Sequence, residues 1–235
     1  MGPCNSYQAD IELTTTLAFD VYGTLIDPFG VSQTLQGMAG DKTASLAQLW
    51  RDKQIEYLFR RALGSDYQPF SVCTRQALDF AAARLQVELS AGDKQELLAR
   101  YRVLPAYEEV ADAFRKLKDA GCRNYAFSNG EPDDLACLLA HAGLDTALDG
   151  IVSVHDVQSF KPDPSVYRHF LEQTGATKRE TWLVSGNPFD VIGAHMAGWR
   201  TAWVKRDPTA VFDPWDIAPD AIIADMNEFA GLDLL

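Results

Sequence analysis

Short apolar runs alternate with amphipathic helical patterns along most of the chain, and this alternation restricts the fold more than any other feature. Such a pattern is typical of βα units whose strands form a parallel sheet between layers of helices. The predicted strands are Leu17–Tyr22, Asn124–Ser128, Ile151–Val154, Trp182–Ser185, Thr201–Lys205 and Ala221–Ala224. Glycines follow several of the intervening helices, as helix ends often require, at Gly121, Gly143, Gly175 and Gly198. We therefore expect an α/β fold with a doubly wound, Rossmann-like parallel sheet.

One part of the chain departs from the alternation, because no strand pattern follows the first strand until Pro105. Long helical patterns fill this part, and the clearest cover Ala44–Leu63, Ser71–Val87 and Ala91–Leu104. An all-helical block after the first strand indicates an insertion, which would cover the ligand site at the carboxyl ends of the strands. We predict a helical cap of residues 29–104, inserted into a core formed by residues 1–28 and 105–235.

Composition limits the partners that the chain is expected to bind. Its 235 residues carry a formal net charge of −12, which argues against nucleic acid because phosphate binding needs clustered Lys and Arg. No apolar run reaches transmembrane length, and Met1–Thr16 lacks the basic start of a signal peptide. The four cysteines form no C-x-x-C pair and are expected to be buried thiols, at Cys4, Cys73, Cys122 and Cys137. We predict a cytoplasmic protein without nucleic-acid or membrane partners.

Asp20 stands at the carboxyl end of the first predicted strand, directly after three apolar residues. An ionised carboxylate beside a core is costly unless it is paired, and ligands bind at this edge of the sheet. Taken alone, Asp20 fits a turn-capping role with Gly23-Thr24 equally well. Polar groups after three further strands favour a reactive site instead, namely Ser128-Asn129-Gly130, Lys161-Pro162-Asp163-Pro164 and Ser185-Gly186-Asn187-Pro188-Phe189-Asp190.

These motifs resemble the haloacid dehalogenase superfamily, and more closely its L-2-haloacid dehalogenase branch. The similarity extends from about Leu17 to Lys205 and includes Leu49–Tyr57 in the cap and Val166-Tyr167 in the core. The resemblance implies hydrolysis of a small L-2-haloacid to a D-2-hydroxy acid and a halide ion. It further implies a covalent ester on Asp20, inversion at the substrate carbon, no metal or other cofactor, and a homodimer.

Most members of the superfamily are Mg²⁺-dependent phosphohydrolases, so a phosphatase is the main competing class. Phosphatases carry a second Asp two residues after the nucleophile, and this chain has Tyr22 there. A tyrosine does not protonate a leaving alkoxide near neutral pH, whereas a halide leaves without a proton. Asn187 replaces an Asp that ligates Mg²⁺ in phosphatases, which weakens a hard-cation site. The open alternatives are a hydrolase of fluoroacetate or a cyclic amino acid, and a non-catalytic binding protein.

The resemblance assigns expected roles to individual residues. Asp20 attacks the substrate carbon, Lys161 keeps Asp20 ionised, and Asn187 or Asp190 positions or activates the hydrolytic water. Thr24, Ser185 and Tyr167 orient Asp20 and Lys161. The expected catalytic residues are thus Asp20, Lys161, Asn187, Asp190, Thr24 and Ser185.

Substrate-binding roles fall on both the cap and the core. Arg51, on a largely apolar helix face, is expected to clamp substrate and halide. Asn129 is expected to hold the halide and Ser128 the substrate carboxylate. Aromatic rings are expected to wall the pocket, and the expected substrate-binding residues are Arg51, Ser128, Asn129, Tyr22, Phe70, Tyr167 and Phe189. Gly186 and Phe189 depart from the branch, where serine and tryptophan are common.

Overall fold

The computed structural model describes residues 14–233 of the chain. Its six strands are all parallel and follow the order β3-β2-β1-β4-β5-β6. The strands are β1 Thr16–Phe19, β2 Arg123–Ser128, β3 Gly150–Ser153, β4 Thr181–Ser185, β5 Arg200–Val204 and β6 Ala221–Ile223. This order is that of a doubly wound sheet, and it confirms the predicted fold class.

Nine α-helices accompany the sheet within residues 14–233. They are α1 Ser32–Ala39, α2 Thr43–Leu63, α3 Phe70–Leu85, α4 Ala91–Tyr101, α5 Val110–Asp119, α6 Pro132–His141, α7 Pro164–Thr174, α8 Pro188–Met196 and α9 Met226–Phe229. Each of the four glycines predicted to end helices has a positive φ, between 66° and 85°. In that range a residue with a Cβ is strained, so glycine at these positions allows helices α5 to α8 to end.

Strand β1 lies inside the sheet because it pairs with β2 on one side and β4 on the other. All four of its residues are buried, as expected for a parallel strand covered on both faces. Strand pairing ends at Phe19, earlier than the predicted Tyr22, because the chain then enters a tight turn. In this turn the Gly23 N–H donates to Ile26 O at 2.8 Å, and Gly23 has a φ of 92°. Asp20 is thereby placed at the carboxyl edge of the sheet.

Helices α1 to α4 occupy the chain between β1 and Pro105, as the predicted cap requires. Helices α2 and α3 pack together, and the Trp50 indole N–H donates to Thr74 O at 2.8 Å between them. The chain leaves and re-enters the core at one point, where the Asp27 N–H donates to Pro105 O at 2.9 Å. This contact supports cap boundaries at residues 29 and 104, which remain a prediction.

The cysteines only partly follow the expectation of burial. Cys73 and Cys122 are buried, whereas Cys137 is exposed, because it lies on the solvent face of α6 beside the buried Leu138 and Leu139. Cys4 lies outside the described residues. In residues 14–233, no helix is long and apolar enough to cross a membrane.

Candidate active site

Asp20 lies at the centre of a hydrogen-bonded group in which its two carboxylate oxygens have different partners. Its side chain is largely buried, and its backbone N–H extends the ladder to Val184 O at 3.1 Å. Oδ2 accepts two short hydrogen bonds, from Thr24 Oγ1 at 2.8 Å and from Asn187 Nδ2 at 2.7 Å. Oδ1 has the Lys161 ammonium as its partner at 3.3 Å. One oxygen is thus held firmly, while the other has a single, longer contact.

Lys161 places its ammonium between two carboxylates, although its side chain is only 1% exposed. Nζ donates to Asp190 Oδ2 at 2.7 Å and to Phe127 O at 2.8 Å, in addition to Asp20. It also lies 4.0 Å from the centre of the Phe127 ring. A buried ammonium is stable only when its donors are satisfied and opposite charges lie close to it. The two carboxylates supply those charges.

Asp190 is fully buried at the start of α8. Burial raises the pKa of Asp190 to about 6, and the nearby Asp20 carboxylate adds to the increase. Lys161 and the Tyr167 hydroxyl, which donates to Asp190 Oδ1 at 2.9 Å, oppose that increase. Asp190 is therefore ionised at neutral pH and able to accept a proton in that range.

The orientation of the Asn187 amide follows from its neighbours. Nδ2 faces two acceptors, Asp20 Oδ2 at 2.7 Å and Tyr22 O at 3.0 Å, while Oδ1 faces the Arg51 guanidinium at 3.4 Å. An arginine only donates and a carboxylate only accepts, so a flipped amide would lose all three contacts. Asn187 therefore joins the cap residue Arg51 to the core residue Asp20.

Arg51 extends from α2 of the cap to the edge of the sheet. Its guanidinium donates to Tyr22 O at 3.1 Å and to Gln54 Oε1 at 2.7 Å, besides the contact with Asn187. Within the described part of the chain, all of these acceptors are uncharged. Arg51 is therefore a half-buried cation whose hydrogen-bond partners do not neutralise its charge. Such a cation is suited to binding an anion.

Thr24 links the Asp20 carboxylate to the neighbouring loop. Its hydroxyl donates to Asp20 Oδ2 and accepts from the Gly186 N–H at 2.8 Å. Its carbonyl accepts from Arg206, whose guanidinium also donates to Glu109 at 2.8 Å. A Cβ at Gly186 would lie 2.3 Å from Gly23 O, so a glycine here lets the two loops touch. The branch serine would not fit this backbone without a shift.

The remaining polar residues at the strand ends are near the site, and each has a defined hydrogen-bond partner. The hydroxyl of Ser185, which is expected to help orient Asp20 and Lys161, accepts from the Asn187 N–H at 3.1 Å. Tyr167 bonds to Asp190 rather than to Lys161. Asn129 Oδ1 accepts from the Lys161 N–H at 2.9 Å, and Ser128 Oγ accepts from the Gly130 N–H at 3.2 Å. Since Ser128 acts as an acceptor there, its own O–H is left to donate.

Two of the three expected wall residues lie together. The Tyr22 ring is stacked between Phe70 and Tyr101, with ring centres 5.0 Å and 5.5 Å away. Burial holds the pKa of the Tyr22 hydroxyl well above its ordinary value, so the hydroxyl stays protonated. Phe189 lies elsewhere, edge-on to Phe59 of α2 at 5.0 Å, and it lines a separate cavity of about 340 Å³.

Polar contacts outside this group also hold the cap on the core. The Ser71 hydroxyl of α3 donates to Glu131 at 2.6 Å, just before α6 begins. The Tyr67 hydroxyl lies 2.8 Å from Nδ1 of His155. These contacts and the Arg51 contact tie different parts of the cap to the same edge of the sheet, so the cap covers Asp20.

The structure adds residues that sequence reasoning missed. Gln54 of α2 is fully buried and accepts from Arg51, and Arg206 after β5 holds the Thr24 carbonyl. A glutamine three positions after an arginine on an apolar helix face was the available signal for Gln54. Arg206 offered no such signal, because its partners lie far away in the sequence. Among residues 14–233, no group of three or more His, Cys, Asp or Glu side chains could hold a metal ion.

Comparison with known proteins agrees with the motifs. Residues 14–198 match the family model described as haloacid dehalogenase-like hydrolase. The chain is 34% identical over 204 residues to an (S)-2-haloacid dehalogenase of Pseudomonas sp. (strain YL), covering 87% of this chain and 88% of that protein. It is 30% identical over 216 residues to haloacetate dehalogenase H-2 of Moraxella sp. (strain B), covering 92% and 96%.

A solved structure shows the same arrangement of elements. The L-2-haloacid dehalogenase of Xanthobacter autotrophicus, with chloropropionic acid covalently bound, matches with a TM-score of 0.87 and 29% sequence identity. The match covers 92% of this chain and 97% of that chain. The chain therefore belongs to the haloacid dehalogenase-like hydrolases, and within them to the L-2-haloacid dehalogenases that its motifs resemble.

Proposed function

We propose that this protein hydrolyses small L-2-haloacids to D-2-hydroxy acids and halide through an ester on Asp20, without a metal. The observation that carries the proposal is the unequal bonding of the Asp20 carboxylate. Oδ2 is held by Thr24 and Asn187 at 2.8 Å and 2.7 Å, while Oδ1 has one contact of 3.3 Å to Lys161. An oxygen with fewer hydrogen bonds is the better nucleophile, because its lone pairs are less stabilised.

In the first step, Oδ1 of Asp20 attacks the α-carbon from the side opposite the halogen. A carbon–oxygen bond forms as the carbon–halogen bond breaks, and the halide leaves with the bonding electrons. This displacement inverts the carbon, so an L substrate gives a D product. The covalent chloropropionic acid in the similar Xanthobacter enzyme supports such an ester.

The Arg51 guanidinium and a set of hydrogen-bond donors favour an anionic substrate. Arg51, whose acceptors are uncharged, attracts the haloacid and the departing halide, with Asn129 as a further halide donor. Ser128 receives the substrate carboxylate. In the turn after Asp20, the N–H groups of Gly23 and of the next three residues donate to carbonyl oxygens of the turn itself. The N–H groups of Val21 and Tyr22 are therefore able to donate to the substrate carboxylate. Backbone N–H groups at such a turn favour bound anions.

In the second step, water attacks Cγ of the Asp20 ester and Asp190 accepts its proton. Both N–H groups of the Asn187 amide are already donated, to Asp20 and Tyr22, whereas an ionised carboxylate has further lone pairs. A pKa of about 6 is suited to a general base near neutral pH. The bond between Cγ and the original Asp20 oxygen then breaks, and this oxygen leaves on the hydroxy acid with the proton returned by Asp190. Asp20 keeps the oxygen atom from water, whose remaining proton passes to the solvent. Asn187 holds the other carboxylate oxygen during both steps.

The first test is halide release from L- and D-2-chloropropionate with EDTA present. We expect release from the L isomer alone, a D-lactate product, and complete loss of release in Asp20→Asn. The matched control Asp133→Asn removes an exposed carboxylate from α6 and should leave the activity unchanged. Release that requires Mg²⁺, or that survives in Asp20→Asn, would overturn the proposal.

A single turnover in H₂¹⁸O tests the ester itself. Because water attacks Cγ of Asp20, the first ¹⁸O atom should enter the Asp20 carboxylate and not the released hydroxy acid. Mass spectrometry of the Asp20 peptide measures this directly. Label found in the product after one turnover would show that water attacks the substrate carbon. If neither chloropropionate isomer reacts, fluoroacetate, cyclic amino acids and, with Mg²⁺, phosphate esters test the alternative activities.

We further propose a cytoplasmic homodimer, on the strength of the family resemblance and the composition. Light scattering of the purified protein measures the mass in solution. A mass of one chain at micromolar concentration would contradict the dimer.

A further inference from the structure

Gln54 is a fully buried polar residue within the cap, one helical turn after Arg51 on α2. Burying an amide costs free energy unless its hydrogen bonds are made, so such a residue usually has a defined set of partners. Gln54 has three. Its Oε1 accepts from Arg51 at 2.7 Å and from the Tyr101 hydroxyl at 3.0 Å, and its Nε2 donates to Thr74 Oγ1 at 2.6 Å.

The direction of this amide is determined by its neighbours. The Arg51 guanidinium only donates, so Gln54 must present its oxygen to it. The Thr74 hydroxyl donates to Phe70 O at 2.8 Å and is thus free to accept from Nε2. Burial raises the pKa of the Tyr101 hydroxyl, which therefore keeps the proton that it donates to Gln54. The three partners come from α3 and α4 as well as α2, so they hold Gln54 rigidly.

Gln54 supplies an anchor that carries no charge. Arg51 needs a fixed acceptor on one side, because its other contacts, at 3.1 Å and 3.4 Å, are longer. A glutamate would fit the same space and hold Arg51 as firmly. It would also form an ion pair with Arg51, and the guanidinium would then attract a second anion less strongly. The neutral amide fixes the direction of the guanidinium and leaves its charge available.

We propose that Gln54 is the positioning residue that directs the Arg51 guanidinium towards the Asp20 side of the cap–core junction and keeps its charge free for the anionic ligand. For the haloacid and its halide this inference rests on the proposed function. For a simple anion it does not, since the uncharged hydrogen-bond acceptors of Arg51 are a property of the fold.

The test is Gln54→Glu, assayed with L-2-chloropropionate and with chloride as inhibitor. We expect KM and the chloride inhibition constant to rise together by about tenfold or more, because the added carboxylate weakens the attraction between Arg51 and each of the two anions. The matched control Gln36→Glu adds the same charge at an exposed position of α1 and should change neither constant. A folded Gln54→Glu enzyme with the wild-type KM and chloride constant would overturn the inference.

A milder variant keeps the inference testable if Gln54→Glu does not fold. Tyr101→Phe removes one hydrogen bond to Gln54 Oε1 and keeps the stacked ring. We expect both constants to rise a few-fold while kcat is retained, whereas Tyr125→Phe, whose ring packs against Phe170, should leave them unchanged. A fall in kcat alone, with both constants unchanged, would indicate a structural role and contradict the inference.

Failure of the proposed function can be recognised separately. If the wild-type protein releases no halide, calorimetric titration with sodium bromide still compares wild-type and Gln54→Glu proteins. Weaker bromide binding in Gln54→Glu would support the inference without any turnover. Equal binding in the two proteins would overturn it.

Discussion

Asn187 Nδ2 lies 2.7 Å from Asp20 Oδ2, so a neutral donor stands beside the carboxylate that we propose to be the nucleophile. The same amide donates to Tyr22 O at 3.0 Å. A carboxylate in place of this amide would face two acceptors and donate to neither. The identity of one side-chain atom at position 187 thus decides whether Asp20 is stabilised or repelled.

Asn187→Asp should therefore reduce halide release by about a hundredfold or more, because two like charges at hydrogen-bond distance cannot both stay ionised. The paired carboxylates should also gain affinity for Mg²⁺, whose preferred ligands are oxygens. Halide assays and calorimetry with MgCl₂ measure the two effects. Asn227→Asp, at a half-buried asparagine of α9 whose Oδ1 accepts from Lys116 at 2.9 Å far from Asp20 in the sequence, is the matched control. Full activity in Asn187→Asp would contradict the proposed arrangement.

Lys161→Met should destabilise the fold by about 3–5 kcal/mol at pH 8, since it leaves buried carboxylates without their cation. Lys161 lowers the pKa of Asp190, so its removal raises that pKa further. The folded variant then binds protons more readily than the unfolded chain. The loss in its free energy of unfolding, relative to the wild type, should therefore shrink as the pH falls to 5. Urea unfolding at both pH values measures this.

The control Lys178→Met removes an exposed lysine and should change the free energy of unfolding by less than about 0.5 kcal/mol. If Lys161→Met lowered the free energy of unfolding equally at pH 5 and pH 8, the electrostatic role of this ammonium would be contradicted.

Tyr167→Phe should move the acidic limb of the pH profile to higher pH. Burial raises the pKa of Asp190 to about 6, so kcat is expected to fall as the pH drops through that value and the base of the hydrolysis step becomes protonated. The Tyr167 hydroxyl bond lowers that pKa, and its loss raises it. At pH 6 the variant should therefore retain a few-fold smaller fraction of its plateau activity than the wild-type enzyme retains. An unmoved limb would show that another group controls it.

Gly186→Ala should disturb the site although it adds only one methyl group. A Cβ at this position would lie 2.3 Å from Gly23 O, which is backbone and moves only with the turn after Asp20. The shift would weaken the bond from the Gly186 N–H to Thr24 and lower kcat by about tenfold, as small displacements at reactive groups do.

Gly37→Ala provides the matched control on helix α1, where an added Cβ meets nothing within 4 Å. In that exposed helix, alanine should raise the free energy of unfolding by about 0.5–1 kcal/mol and leave kcat unchanged. Equal kcat in the two variants would show that the contact between Gly186 and Gly23 does not matter.

Much of the site was predictable because the carboxyl ends of parallel strands meet at one edge of a sheet. Asp20, Lys161, Asn187 and Asp190 lie at or after such ends, and the structure links them through hydrogen bonds. The individual side-chain contacts were not predictable in this way. Ser185 bonds to the Asn187 backbone and Phe189 packs against Phe59, because side-chain direction depends on turn geometry and helix phase that a motif does not specify.

The parallel sheet, the inserted helices and the residue types gathered at the sheet edge follow from local features of the sequence, since apolar periodicity and strand-end position can be recognised without tertiary contacts. The folded structure is needed to see which oxygen of Asp20 is held, which amide anchors Arg51, and why a side chain at position 186 would displace the turn at Gly23. Those contacts join residues far apart in the chain. They depend on how the cap docks on the core and how closely two loops approach, and only packing of the whole chain determines such distances.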